Sequence, residues 1–548
     1  MIINAFEPDA GNSAGSNSEE KPQVAICLLL VELCERFIFF GIVCNMIVFC
    51  TVKLGYCNYQ AAIVNMCFVG ASMLTPVLVG WLAECLVGRI KLVYICTFLH
   101  FLGTVLLPLV AFPFEDFFID RHHILHVLAQ KEQKVVFYFA LLTACLGTGG
   151  IRAILCPLSA FNLEDYGPKE LLSFFNWLVS VFYWLVNLNS AVVFVSISYI
   201  QQSVAKNLGF LLPFVSAFMV MITIHMVHSE MIYKPKKGSP LLTTFGVVVN
   251  ALKMCRVRYY HFCGDMTSWL DHAKENYGGW YSEIHVESTK SLVRLFPLFA
   301  FQILYRTCIM QIPSGYYLQT MNSNLNFNGF FLPIAAMNVI SILPILFLAP
   351  ILDRVLLPFL PLLSACFAGH LTAALSLIVA GFSEIHRKHF PPVEQTLSGR
   401  VLLVSSMPCF HLAPQYILLG VAEALVTPTY GIQGISMHFL TLFNGAGCFM
   451  GAFIVQTTYA GSQGIWFPHF LHEGKLERFF FFLASLMMVN TLGFWTISHR
   501  YSNLHQEYAK GFRGSSLQEK LLQHEKNLKF YDSVLETTST LSPVETFL

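Results

Sequence analysis

Three charges inside one long apolar run are the residues with the most to do. Glu32, Glu35 and Arg36 sit within residues 24–50, VAICLLLVELCERFIFFGIVCNMIVFC. About 20 apolar residues cross a bilayer as a helix, and an ionisable side chain at that depth costs at least ~2.5 kcal/mol. Spacings of three and four gather all three charges on one helical face. Two chemistries fit: an ion pair that locks helix packing, or a proton or solute site facing a water-filled cavity. Arg152 and Glu423 stand in two further apolar runs. Arg152 is a fixed cation, because guanidinium does not deprotonate. Burial favours a neutral carboxylate and a nearby cation favours a charged one, so a Glu held between them can bind and release protons. For Glu423 the plain alternative is a capped structural carboxylate.

The elements that must position these residues follow from composition. The chain has 548 residues, 55% hydrophobic and 12% charged, with a mean hydropathy of +0.60. That is the usage of a polytopic membrane protein, not of a soluble globular one. The net charge of +1 and the lack of a basic patch with interleaved aromatics give no reason to expect nucleic acid. Long apolar runs fall at about 24–50, 60–86, 91–113, 135–157, 172–198, 208–228, 292–312, 329–350, 357–381, 402–428, 434–459 and 478–498. The expected fold is therefore all-α, with twelve transmembrane helices in two six-helix bundles, 24–228 and 291–498. A cytoplasmic central loop at 229–290 joins them, as in the major facilitator architecture. Residues 1–23 form a polar, disordered cytoplasmic lead, with no apolar core for a cleavable signal. Residues 499–548 form a polar cytoplasmic tail. The Lys/Arg bias puts both termini inside.

The 16 cysteines are scattered through apolar segments with no C-x-x-C pair, so neither a disulfide framework nor a metal site is expected. No cofactor is expected beyond protons as the coupling ion. No nucleophile–base pair or phosphate loop suggests an enzyme. The second helix ends in Gly80-Trp-Leu-Ala-Glu84-Cys-Leu-Val-Gly88-Arg89-Ile-Lys91, a facilitator loop pattern in which Gly80, Glu84, Gly88 and Arg89 serve gating and packing. Asp353-Arg354 echoes it in the second half. Near the end of the chain, Tyr531-Asp-Ser-Val534 fits a tyrosine-based sorting pattern.

Several stretches together resemble the proton-coupled oligopeptide transporters, and within them solute carrier family 15. They are Glu32-Leu-Cys-Glu35-Arg36-Phe37-Ile-Phe39-Phe40-Gly41, Gly147-Thr-Gly149-Gly150-Ile151-Arg152 with Ser159-Ala-Phe161, Phe174-Phe-Asn-Trp177 with Asn187, Gln311 to Gln319, and Gly420-Val-Ala-Glu423 to Pro428. The resemblance implies proton coupling through Glu32, Glu35, Arg36 and Arg152. It implies solute contacts from Phe39, Phe40, Asn187, Gln311 and Glu423, with Glu423 taking a peptide's amino end. It also implies a gate that includes Arg294.

The departures are specific. Phe39 and Phe40 stand where peptide carriers have tyrosines, Val43 where they often have arginine, and Met310 where they have an acid. Helix two has no histidine before Thr75-Pro76. Leu178-Val-Ser-Val181 looks like an extra turn in helix five, and helix ten is cut short near Pro428. The expected function is proton-driven symport of di- and tripeptides or a related small, amino-acid-like solute across the plasma or an endolysosomal membrane by alternating access. Two alternatives stay open: a transport-inactive receptor on the same scaffold, and a proton symporter of a non-peptide solute such as histidine.

Overall fold

A computed structural model of the chain describes residues 16–111, 130–161, 168–200, 202, 211–227, 240–257, 268–351, 362–397, 400–426, 434–468 and 474–499. In lipid a backbone must satisfy its own hydrogen bonds, which leaves helices as the form for such apolar runs. The first half supplies α1 (Ser16–Val48), α2 (Asn58–Cys85), α3 (Arg89–Ala111), α4 (Gln130–Phe161), α5 (Pro168–Tyr199) and α6 (Leu211–Val227). Next come α7 (Pro240–Val257), α8 (Glu283–Ile309), the short α9 (Tyr317–Met321), α10 (Met337–Ile351), α11 (Leu362–Lys388), α12 (Ala413–Val426) and α13 (Gly434–Gly461). The series ends with α14 (Leu476–His499). Among the described residues, eight of these are long and apolar enough to cross a membrane by length and composition, and each of the twelve expected runs includes a helix. The described residues are mostly helical, with the spans expected of a polytopic membrane protein.

Packing is built on small residues, because lipid tails offer helices no hydrophobic incentive to associate. In the first half α3 lies along α4, α2 along α4, and α1 along α5 and α6. In the second, α11 and α10 pack on α12, and α8 on α13. A Cβ added at Gly103 would lie 2.5 Å from the Ala144 backbone nitrogen, and one at Gly147 would run into His100. The halves meet along α2 and α13. They also meet at the end opposite the N terminus, where Asn65 Nδ2 donates to the Pro313 carbonyl (2.7 Å) and Tyr59 stacks on Tyr459. At that end Tyr199 stacks on Phe330.

Several expectations need correcting. Helix α1 begins at Ser16, inside the stretch read as a disordered lead. The 229–290 loop contains α7 and the first turns of α8. Val247 and Ala251 of α7, four apart on one face, close a small core with Leu270, Ala273 and Val286. Two short tight turns, Trp269–Ala273 and Glu275–Tyr277, lead into α8. The tenth span does not start at 402. Arg400–Ser405 is a strand (β4) paired antiparallel with Pro392–Leu397 (β3), following a small hairpin of β1 (Asn326–Phe327) and β2 (Phe330–Phe331). Helical structure resumes only at Cys409, so Cys409–Val426 is 18 residues long, or ~27 Å at 1.5 Å per residue, just short of a hydrocarbon core. Helix α5 runs unbroken through Leu178–Val181. Residues 427–433, Asp353-Arg354 and Tyr531–Val534 lie outside the described residues.

Candidate functional site

Helix α1 presents Glu32, Glu35 and Arg36 on one side, as their spacing requires. The Arg36 guanidinium stands 4.0 Å from Glu32 Oε1 and 3.8 Å from Glu35 Oε2. From α4, Arg152 Nε donates to the same Glu35 Oε2 at 3.0 Å. Glu35 is fully buried, whereas Glu32 and Arg36 keep 18% and 26% of their side-chain surface open. The structure thus unites the four residues expected to couple protons. It leaves three of their buried polar atoms without a hydrogen-bond partner: Glu35 Oε1, Arg36 Nε and Arg152 Nη2. A saturated structural ion pair would not leave them so.

Phe39 is placed one turn beyond Glu35 on α1. The carbon at the centre of the Arg152 guanidinium lies 4.4 Å from its ring centroid, a cation–π contact, and the Phe68 ring of α2 stacks on it. Phe39 is nearly buried, its ring face against Arg152. Phe40 is half-buried and packs edge-on against Phe194 of α5. Asn187 is half-buried on α5, its carbonyl accepting from the Ser190 hydroxyl. Gln311 is fully buried where α8 gives way to a wide turn, Ile312–Tyr316. Its amide donates to the Thr307 carbonyl at 3.2 Å, and its Oε1 has no partner. Val43 and Met310 are both core residues.

Glu423, on α12, has company that the sequence reading missed. Arg306 Nη1 of α8 lies 3.6 Å from Glu423 Oε1, and the Tyr305 hydroxyl donates to Oε2 at 3.4 Å. Tyr305 stacks on His370 of α11, which contacts Gln302 at 3.1 Å. The available signal was an arginine inside an apolar run, the same signal that singled out Arg152. The two clusters flank the seam between the halves. Phe68, under Phe39, is two residues from Gly70 on α2, where an added Cβ would sit 3.0 Å from Cys448 Cβ of α13. Cys448 in turn neighbours Arg306.

Of the gating residues, Gly88 has φ +88° in the turn between α2 and α3, a conformation that favours glycine. Gly80 faces open space. The side chains of Glu84, Arg89 and Arg294 lie outside the described residues, as do those of Ser159, Phe161 and Phe174 to Trp177. A groove of about 480 Å³ between the two hairpins, lined by Asn324, Asn326, Glu394 and Gln395 among others, shares no residue with either charge cluster.

A second charged knot lies at the start of α8. Asp271 Oδ1 accepts from Lys290 at 2.5 Å and Lys274 at 3.1 Å, and Lys274 also reaches Glu283 and Glu287. Burial pushes the Asp271 carboxyl up, but the hydrogen bonds from Lys290 and Lys274 outweigh it and hold the group below the usual carboxylate range. Lys274 is held above the ordinary lysine value, because its three carboxylate partners outweigh its own burial.

A membrane transporter is what the comparisons with known proteins also give. Residues 90–466 match the family model described as PTR2, POT family, and the chain belongs to that family. It is a peptide or solute transporter of the membrane and not an enzyme. Among its relatives, Solute carrier family 15 member 5 of Homo sapiens is 58% identical over 98% of this chain and 95% of the human one. Protein NRT1/PTR family 8.5 of Arabidopsis thaliana is 28% identical over 84% of this chain and 86% of its own. The crystal structure of the POT family transporter PepTSo superposes with a TM-score of 0.67 at 19% identity, covering 88% of this chain and 98% of that one. A POT family transporter in complex with 5-aminolevulinic acid gives 0.62 at 14% identity, over 87% and 96%.

Proposed function

We propose that the protein is a proton-coupled symporter that carries small peptides or related small solutes by alternating access, its two bundles, 24–228 and 291–498, rocking about the α2–α13 seam. The observation that carries this reading is the Arg152–Glu35 contact across α4 and α1, with one carboxylate oxygen and one guanidinium nitrogen left over. Protonating Glu35 removes the charge that Arg152 pairs with. The freed guanidinium is then available to a solute carboxylate, or repels Arg36 and favours separation of the helices. Proton binding and solute binding become linked, because each changes the partner of the same cation. Glu32 and Arg36, partly open to solvent, provide the route between bulk water and Glu35. Gln311, Asn187, Phe40 and Glu423 shape the space that the solute occupies. Both termini lie in the cytoplasm of a plasma-membrane or endolysosomal transporter.

The test is uptake into proteoliposomes driven by an inward proton gradient, with dipeptides, N-acetylated dipeptides and histidine offered in turn. Uptake that collapses with the gradient supports symport. Uptake indifferent to the gradient removes the proton from the mechanism. No uptake of any solute by folded protein favours the receptor reading.

A further inference from the structure

The C-terminal cluster differs from a vacant amine site in one respect: both oxygens of Glu423 are already engaged. Oε1 faces Arg306 and Oε2 accepts from Tyr305. Arg306 is held in place from the other side by α13. A Cβ at Gly447 would sit 2.7 Å from Arg306 Cβ, and the Thr307 hydroxyl donates to the Gly447 carbonyl at 2.8 Å. Glycine at 447 lets the two helices approach closely enough to fix that arginine. Because guanidinium keeps its charge at every physiological pH, Arg306 offers Glu423 a counter-charge throughout, unlike a visiting ammonium group.

The charges decide what solute remains welcome. Glu32 and Glu35 cancel Arg36 and Arg152, and Glu423 cancels Arg306. One proton taken up on helix one therefore leaves these six residues with an excess positive charge. Their unpartnered buried atoms point the same way: three guanidinium nitrogens (Arg36 Nε, Arg152 Nη2 and Arg306 Nε) against a single carboxylate oxygen, Glu35 Oε1. Donors outnumber acceptors, which is an arrangement for an anion. We propose that Arg306 is a tethered stand-in for a solute ammonium group at Glu423, so that the site takes small carboxylates lacking a free amino group, such as N-acylated dipeptides. This rests on the reading of the protein as a solute symporter and names the solute class of that site. A free α-ammonium would compete with Arg306 for Glu423 and leave a mostly buried guanidinium, 17% exposed, short of its counter-charge, which is unfavourable.

The experiment is equilibrium binding to purified full-length protein in nanodiscs, without any gradient, using acetyl-Ala-Ala and Ala-Ala as probes. The wild type binds acetyl-Ala-Ala at least about tenfold more tightly. Arg306→Gln narrows or inverts that ratio by about tenfold through tighter binding of Ala-Ala, and Arg306→Lys keeps the wild-type order. Glu423→Gln, a second and independent variant, tightens acetyl-Ala-Ala by releasing Arg306. A wild type that prefers Ala-Ala overturns the proposal, as does an unchanged ratio in Arg306→Gln, weaker acetyl-Ala-Ala binding in Glu423→Gln, or no binding of either probe by any folded variant. Because no gradient is applied, failure here is distinct from failure of proton coupling, which shows only in the uptake assay.

Discussion

Substituting Glu384 separates structural from functional charge in this chain. Glu384 and Arg387, near the end of α11, are buried to 0% and 1% exposure. Arg387 Nη2 and Nε donate to the two Glu384 oxygens at 2.7 and 3.0 Å, and Nη1 donates to the Asn322 carbonyl at 3.2 Å. Gln319 donates to Glu384 Oε2, and Gln415 donates to Gln319. The Glu384–Arg387 pair itself leaves no buried atom unpaired, in contrast to Glu35 and Arg152; at the edge of the network only Gln415 Oε1 lacks a partner. Glu384→Gln leaves a buried guanidinium without a counter-charge, which costs about 3–5 kcal/mol. At ~2 °C per kcal/mol, the low end for larger chains, the melting midpoint falls by about 6–10 °C. Replacing both partners with apolar residues, Glu384→Leu with Arg387→Met, restores most of that loss, because the desolvation of both ions disappears with them. The assay is thermal unfolding of detergent-purified wild type, Glu384→Gln and the double variant. Below the melting transition, Glu384→Gln keeps the wild-type dependence of uptake on the proton gradient. A variant with an unchanged midpoint and uncoupled transport would refute the distinction between saturated and unsaturated pairs.

Other predictions follow from the same geometry. Phe39→Leu removes the ring beneath Arg152, a contact of ~0.5–2 kcal/mol, and lowers gradient-driven uptake, whereas Phe39→Tyr keeps the ring and retains more of it; equal loss in both would show that the ring face is irrelevant. Gly103→Val pushes α3 away from the Ala144 backbone and lowers the yield of monodisperse protein, with an overpacking cost of at least ~1–3 kcal/mol, read by gel filtration and melting. The Asp271 knot has a defined pH window. Depressed carboxyls stabilise above the ordinary carboxylate pKa and lose that contribution as pH falls through their folded values. The raised Lys274 stabilises below the ordinary lysine pKa and loses its contribution as pH rises through its folded value. Hydrogen exchange of residues 268–290, corrected for its intrinsic pH dependence, should therefore be flat from about pH 5 to 9 and rise on either side. Lys290→Met should raise it throughout.

How much of this was legible in the sequence depends on the kind of signal. Charges inside apolar runs stand out at any register, so Glu32, Glu35, Arg36, Arg152 and Glu423 were visible, and helical spacing put the first three together. Arg306 carried the same signal, but nothing in one dimension says that it meets Glu423 more than a hundred residues away. The β3–β4 hairpin was hidden by its own apolar content. Arg400-Val-Leu-Leu-Val-Ser405 reads as the start of a membrane run, although the alternation before it and the intervening Ser398-Gly399 are hairpin signals. Helix α7 was lost because its apolar face is short and its partners, Leu270 and Val286, lie beyond a polar stretch. Arg387 read as a loop cation; its burial depends on a carboxylate three residues back and on the Asn322 carbonyl, contacts that appear only when α11 folds against the end of α8–α9.

The most direct measurement compares two modes of transport in the same liposomes, wild type against Glu35→Gln. Gradient-driven accumulation needs a proton to bind and leave, whereas solute counterflow needs only alternating access. If Glu35 is where the proton couples to the Arg152 contact, the variant loses accumulation and keeps counterflow. A variant that still accumulates solute against its gradient when driven by acid would place the coupling elsewhere and contradict the mechanism proposed for this pair.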